Sequence, residues 1–202
     1  MSSRDAIFSK IRTALGEVKD KAAYPDYDSA VLHSKPKLEG TPREAFTRNF
    51  TAVSGKVIGS VADLATFLQQ NGQARGYCDP SLMAEVGNAL TAAGLTVETE
   101  YDRSRYEDYQ FGITRATGAI AESGSLILDD AQTSDRLAAL SPWVHVGVLR
   151  ESEIHRTIPD AMAALGPSRN ILWATGPSKT ADVEGILIEG VHGPGLQLAL
   201  FI

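Results

Sequence analysis

Cysteine is almost absent. The 202 residues contain one, Cys78. A single thiol closes no internal disulfide, and it cannot supply a cysteine zinc site or the four thiolates of an iron–sulfur cluster. The four histidines include no His-x-x-x-His pair, so no metal site is expected. Long apolar runs are missing as well. None approaches the ~18 residues of a membrane span, and the charged start "MSSRDAIFSKIRTALG" has no signal-peptide core. Basic residues are outnumbered by acidic ones, 19 to 25, for a net charge of −6. Phosphate backbones call for the opposite sign, which argues against nucleic acid as a partner. No internal repeat or low-complexity tract appears. The absences together describe a soluble, cytoplasmic protein with no membrane span.

What is present is ordinary globular composition, 43% hydrophobic and 22% charged. The length suits one large domain, or one domain with an added arm. Residues 3–15 read as a helix with Ile7, Ile11, Ala14 and Leu15 on one stripe and Gly16 as its stop. Residues 18–40 lose the periodicity and carry Pro25 and Pro36, which marks a linker. The expected organisation is therefore an N-terminal helix and linker, 1–40, and an α/β domain, 41–202. Thr41-Pro42-Arg43-Glu44 has a cap, a proline at the first helical position and a carboxylate three residues after the cap. Strand and helix then alternate. "KVIGS", "RGYCD" and "LTVET" are short strands, with helices capped by Ser60 and Asp79 between them. That order predicts a parallel sheet with helices packed on it. Further on, "GAIAESGSLILDD" predicts a hairpin about a Ser-Gly turn. "WVHVGVL", "NILWATG" and the C-terminal "LQLALFI" predict strands, and "IPDAMAALG" and "TADVEGIL" predict short helices.

Four segments carry polar groups suited to chemistry. "TGPSKTADVE" follows the apolar run "NILWA". A helix starting there would offer backbone N–H groups and its positive end to an anion, with Ser178, Lys179 and Thr180 as side-chain donors. It is no Walker loop, because Pro177 and Ser178 separate Gly176 from Lys179. The plainer alternative is a proline turn and a capped helix, with Asp182 and Glu184 favourably placed in its first turn. In "AIAESGSLIL", Glu122 stands beside Ser123-Gly124-Ser125. It is either a base or nucleophile near backbone donors, or an exposed carboxylate in a hairpin turn. In "GVHGPG", His192 lies between glycines, as an acid–base group or as a structural hydrogen-bonder. His145 alternates with valines and reads as a core or rim residue. "YDRSRYEDYQFGITRATG" gathers three tyrosines and three arginines. It is a contact for an acidic ligand or a partner chain, or a solvated loop.

Taken together, "GITRATGAIAESGSLIL", "ATGPSKTADVEG" and "GVHGPG" resemble the lactate-utilisation protein C family, built on the LUD domain. The likeness runs from about residue 41 to 202 and is densest from 111 onward. It implies a Rossmann-like open sheet of the NagB/RpiA/CoA-transferase-like type, with the N-terminal helix as an added arm. It also implies a bacterial system that oxidises L-lactate to pyruvate. Iron–sulfur clusters would then lie only on partner proteins, and this chain would carry no identifiable cofactor. The motif positions implied as a ligand site are Thr114, Arg115, Ser123, Gly124, Ser125, Gly176, Ser178, Lys179, Thr180, Asp182 and Gly193, facing Glu122 and His192. The ligand would be a small carboxylate or a phosphate-bearing molecule, in a pocket built by 119–125, 176–182 and 192–195. "AESGS" also resembles the local pattern around the CoA-transferase glutamate nucleophile, although Ser123 stands where that family commonly has asparagine. A non-catalytic scaffold for the iron–sulfur partners is the other reading.

Overall fold

The computed structural model describes residues 2–16, 38–133, 135–166, 170–181 and 185–202. The chain divides into two units, Met1–Leu32 and His33–Ile202. The first contains α1 (Ser3–Gly16), close to the bounds expected from periodicity. The Ser2 hydroxyl accepts the Asp5 N–H, and the Asp5 carboxylate accepts the Ser2 N–H in return. The stripe of Ile7, Ile11 and Leu15 is exposed, and no residue of α1 is buried. The linker expected at 18–40 lies outside the described residues except for 38–40.

In the second unit, Thr41 and Glu44 form the anticipated capping box in front of α2 (Pro42–Ala52). β1 (Gly55–Ile58) follows. Ser60 then caps α3 (Val61–Gln70) by accepting the Asp63 N–H. β2 (Arg75–Cys78) leads to Asp79, which caps the 3₁₀ turn Pro80–Leu82. A π-helical turn, Met83–Gly87, and α4 (Asn88–Ala92) continue it. β3 (Thr96–Glu98) and β4 (Phe111–Arg115) come next, and then β5 (Gly118–Ile120) and β6 (Ser125–Asp129) form the expected hairpin. The remaining elements are α5 (Leu137–Leu140), β7 (Val144–Leu149), β8 (Ile154–His155), α6 (Ile158–Ala164), β9 (Ile171–Ala174), β10 (Lys179–Thr180), β11 (Ile188–Glu189) and β12 (Leu196–Phe201). Among the described residues no helix is long and apolar enough to cross a membrane.

Six strands form the main sheet in the order β1-β12-β7-β4-β2-β3, all paired in parallel. This is the parallel sheet that the alternating pattern predicts, and it fits the Rossmann-like α/β fold that the family resemblance implies. A second sheet, β8-β5-β6-β9, packs on one of its faces, and β10-β11 make a small ribbon. The alternation of side chains along each strand sorts the main sheet's core into two clusters. On one face Ile113, Val144, Val146, Val148, Leu198 and Leu200 pack with Leu64 and Leu68 of α3 and Leu90 of α4. On the other face Leu149 and Ala199 pack with Phe46 and Phe50 of α2 and with Leu126 and Leu128 of the hairpin.

The second face is built from two strand-crossing rows. The register aligns Gly112, His145, Gln197 and Gly55 in one row, and Thr114, Gly147, Ala199 and Val57 in the next. Bare positions there admit close neighbours. A Cβ at Gly55 would lie 2.6 Å from the Phe50 ring, and one at Gly147 would lie 2.6 Å from the Leu126 side chain. A Cβ at Gly112 would collide with the carbonyl oxygen of Ala138 in α5. Backbone oxygen cannot swing aside as a side chain can. Gly112→Ala is therefore expected to cost about 3 kcal/mol of unfolding free energy in urea. Gly166→Ala, with open space around it, should stay within about 0.5 kcal/mol of the parent. Equal midpoints for the two variants would show that the close approach is not needed.

Candidate functional site

The hairpin turn places Glu122 beside α6, not over an open pocket. The Glu122 N–H donates to the Arg156 carbonyl oxygen at 3.0 Å. Its Oε2 accepts the N–H of Ile158, in the first turn of α6, at 3.3 Å. The side chain is half-buried and serves the start of that helix. Ser123, Gly124 and Ser125 face the opposite way. The Ser123 and Ser125 hydroxyls are 2.7 Å apart, and Ser125 continues to the Thr175 hydroxyl at 2.7 Å. Gly124 (φ 64°) and Gly176 (φ 75°) take the left-handed conformation. Gly124 sits against the backbone of Asn49 and Phe50, and Gly176 sits against the carbonyl of Val53. Asn49 Nδ2 donates to the Ala121 carbonyl oxygen at 2.7 Å. The end of α2 is thus wedged between the two turns.

The helix expected over 180–187 falls partly outside the described residues; Thr180, its expected start, lies in strand β10. β9 lies at the edge of the mixed second sheet, paired antiparallel with β6, so the rule placing ligands at the carboxyl ends of parallel strands does not reach it. After the Gly176-Pro177 turn the chain runs into β10, which pairs antiparallel with β11. Asp182 and Glu184 lie outside the described residues. Ser178 is tied in by its backbone. Its N–H donates to the Pro194 carbonyl oxygen at 2.8 Å, and its own carbonyl oxygen accepts the Gly190 N–H at 2.9 Å. Gly193 packs on the Ser178 side chain. Lys179 Nζ donates to the Val53 carbonyl oxygen at 3.2 Å and to Ser54 Oγ at 3.0 Å, and lies 3.4 Å from the Glu189 carboxylate. A lysine there closes the negative end of α2, which is the opposite of an anion site at a positive helix end. Thr180 pairs with Ile188 in the ribbon. His192 is exposed in the turn. The three motif segments are therefore neighbours along one seam, and in it Glu122 and Lys179 serve internal contacts.

Thr114 and Arg115 lie elsewhere, at the carboxyl end of β4. This end of the sheet is where the fold reverses direction. From β2 the chain steps outward to β3, while from β4 it steps the other way to β7. Ligands of open parallel sheets favour such a crevice. The groups here are already paired. Asp79 Oδ1 accepts from the Ser81 N–H and hydroxyl, at 2.9 and 2.7 Å. Arg115 bonds Glu153 and the Ala116 and Val148 carbonyl oxygens. Glu153 is held below the usual carboxylate range: burial pushes it up, and the bonds from Arg115 and Arg150 outweigh that. A cavity of about 510 Å³ flanks the 130–140 segment. Its arginines are compensated, Arg103 by Asp135 at 3.6 Å and Arg136 by Asp130 at 2.8 Å.

Sequence reasoning missed a polar chain across the centre of the sheet. Thr114 Oγ1 lies 2.8 Å from His145 Nε2, and His145 Nδ1 lies 2.7 Å from Gln197 Nε2. With Nδ1 accepting from the Gln197 amide, Nε2 carries the proton donated to Thr114. All three residues are buried. The available signal was one polar residue set among apolar ones in each of "FGIT", "VHVGV" and "LQLAL"; their register could not be read from it.

Burial holds the His145 imidazole down at about 4, against an ordinary 6.5, with the Gln197 bond pulling weakly the other way. Both hydrogen-bond neighbours are uncharged. Between the two values the unfolded chain binds the extra proton, so the contribution is complete above about 6.5 and is lost as pH falls toward 4. From about pH 8 to about pH 5 the unfolding free energy should drop by about 2 kcal/mol more in the parent than in His145→Gln, whose amide can enter the same chain. Urea titrations at the two pH values measure this; parallel losses would remove His145 as the cause.

The LUD domain family profile matches residues 81–202. A Lactate utilization protein C from Deinococcus radiodurans is 38% identical over 87 residues, 41% of this chain and 41% of the relative. One from Bacillus licheniformis is 32% identical over 99 residues, 45% of this chain and 41% of the relative. The chain thus spans about two fifths of the length of these curated relatives. The Lactate utilization protein C of Halalkalibacterium halodurans aligns further, at 34% identity over 202 residues, 91% of this chain and 86% of the relative. A crystal structure of a DUF162 family protein from Deinococcus radiodurans superposes with a TM-score of 0.54 at 22% identity, covering 88% of this chain and 100% of that one. At that identity the superposition speaks for the fold alone. The profile covers more than half of the chain, including the motifs along the seam beside α2, and the chain belongs to the LUD domain family.

Proposed function

We propose that this chain is a component of a bacterial L-lactate utilization system, acting in the oxidation of lactate to pyruvate. The observation that carries this is the 34% identity to the Halalkalibacterium Lactate utilization protein C across 91% of the chain. Iron–sulfur clusters of such a system would belong to partner proteins, because a single cysteine cannot supply the thiolates. Cys78 is also buried, and burial, with Asp79 beside it, pushes its thiol up to about 12. It is no thiolate at neutral pH.

Two readings of the chain's own part divide on Lys179. In one, the 119–125, 176–182 and 192–195 segments hold a small carboxylate or phosphate-bearing ligand through Ser178, Lys179 and Thr180, with Glu122 and His192 facing it. In the other, the chain is a non-catalytic scaffold for the iron–sulfur partners. The second is favoured by a specific observation. Lys179 is engaged by Val53, Ser54 and Glu189, and Glu122 by the start of α6. The same engagement of Glu122 speaks against a CoA-transferase-like attack, which needs a carboxylate free to approach its substrate.

Deleting the gene should abolish growth on L-lactate as sole carbon source and spare growth on pyruvate. Undiminished growth on lactate would reject the role. On the scaffold reading, Lys179→Met still restores growth and lowers the unfolding free energy by about 1 kcal/mol, the scale of a helix-end charge. Calorimetry should then show no heat of lactate or pyruvate binding to either protein. Binding by the parent that is lost in a folded Lys179→Met variant would establish the anion site instead.

A further inference from the structure

At the amino ends of β2, β4 and β7, opposite the crevice at Asp79 and Arg115, lies a cavity of about 410 Å³. Trp143 and Tyr106 line it and remain 48% and 50% exposed. The Trp143 ring is fixed on one side, where Gly190 and Gly195 approach it so closely that a Cβ at either would strike the indole. Glu107 is the charged group of the wall, and its carboxylate is steadied by the Tyr106 hydroxyl, which donates to it at 3.0 Å. Gln73 forms another part. Its Nε2 donates to the Asn71 carbonyl oxygen at 2.9 Å, but its Oε1 is buried without a partner, the one such side-chain oxygen among the described residues. No basic side chain lines the cavity among the described residues. The next segment in the chain presents Ile186, Leu187, Ile188 and Val191 to solvent, each at least 41% exposed.

An aromatic pair and a hydrogen-bond-accepting carboxylate make a receptor for a cation that can donate hydrogen bonds. A guanidinium fits best, because it is planar, stacks on an indole and donates in several directions at once. The apolar rim favours a protein as its carrier, since clustered exposed Ile, Leu and Val beside a polar cavity mark an interaction surface. We propose that this cavity receives an arginine side chain presented by a partner protein, whose apolar residues cover the 186–191 segment. The proposal deepens the scaffold reading and rests on it for the setting, while its chemistry can be tested without lactate.

The chain has two tryptophans, so Trp173→Phe leaves Trp143 as the sole emitter. The probe is the peptide acetyl-Gly-Arg-Gly-amide, compared with its citrulline counterpart and with agmatine. The arginine peptide should shift Trp143 emission with a Kd of roughly millimolar, with the citrulline peptide and Glu107→Gln each weakening it about tenfold. Equal binding of the citrulline peptide, or no effect of Glu107→Gln, would overturn the proposal. Agmatine binding as tightly as the peptide would overturn the protein-borne part and leave a site for a small free cation. The Trp143 indole N–H resonance in the unsubstituted chain gives the same readout should Trp173→Phe fail to fold. Loss of growth on lactate with intact peptide binding separates failure of the system role from failure of this site.

Discussion

A second layer can press onto the parallel sheet because one face of that sheet is nearly bare at its centre. Gly112, Gly55 and Gly147 remove side chains where the Ala138 carbonyl, the Phe50 ring and Leu126 arrive. Interiors are packed to crystal density, so such contacts either fit or exclude each other. The bare positions alternate with the larger polar ones. His145 lies beside Gly112 in one row, and Thr114 lies beside Gly147 in the next, so the imidazole can reach diagonally to the hydroxyl. With Gln197 on its other nitrogen, each polar atom of the ring has a partner. A buried polar group that is satisfied costs little, and here three of them bridge the three central strands.

This constraint also sets what the motif residues do. Once the hairpin and α2 share a face, the end of α2 needs partners for its last carbonyls. Lys179 reaches back across the seam to supply one, and the left-handed turns at Gly124 and Gly176 give the backbone room to meet it. A lysine and a row of hydroxyls next to a glycine turn resemble an anion cradle in one dimension. In three dimensions the same groups lie at the negative end of a helix, where a cation is the stabilising charge.

Local chemistry made much of the first half legible. The Thr41 box, the Ser60 and Asp79 caps and the alternation of short strands with helices are all within-segment signals, and the parallel sheet follows from them. The second half was legible as elements, not as an assembly. "AESGS" announced its hairpin, but nothing local says that β5 and β6 leave the main sheet and recruit β8 and β9. "SKTADVE" has good helix-start chemistry, yet Lys179 and Thr180 lie in a ribbon with Ile188 and Glu189, because pairing outweighs a weak local preference. The candidate site was legible as three motifs that do fall together. The destination of each charge was not, because it depends on which helix end or carboxylate the tertiary fold brings within reach.

The charge pattern separates the two ends of the sheet. At the carboxyl end, Arg115 is held by Glu153, and Arg150 lies 3.7 Å from Glu85. Fixed pairs of opposite sign leave little net field, and a ligand ion would first have to displace a partner that pays no entropy to stay. At the amino end, Glu107 lines a cavity with Trp143 and Tyr106, and Gly190 of the exposed apolar segment 186–191 is part of the same wall. A carboxylate with no basic side chain in the same wall, among the described residues, keeps a field that can select a cationic partner. The proposed arginine site lies at the amino end of this sheet, while the seam of motifs beside α2 joins the layers.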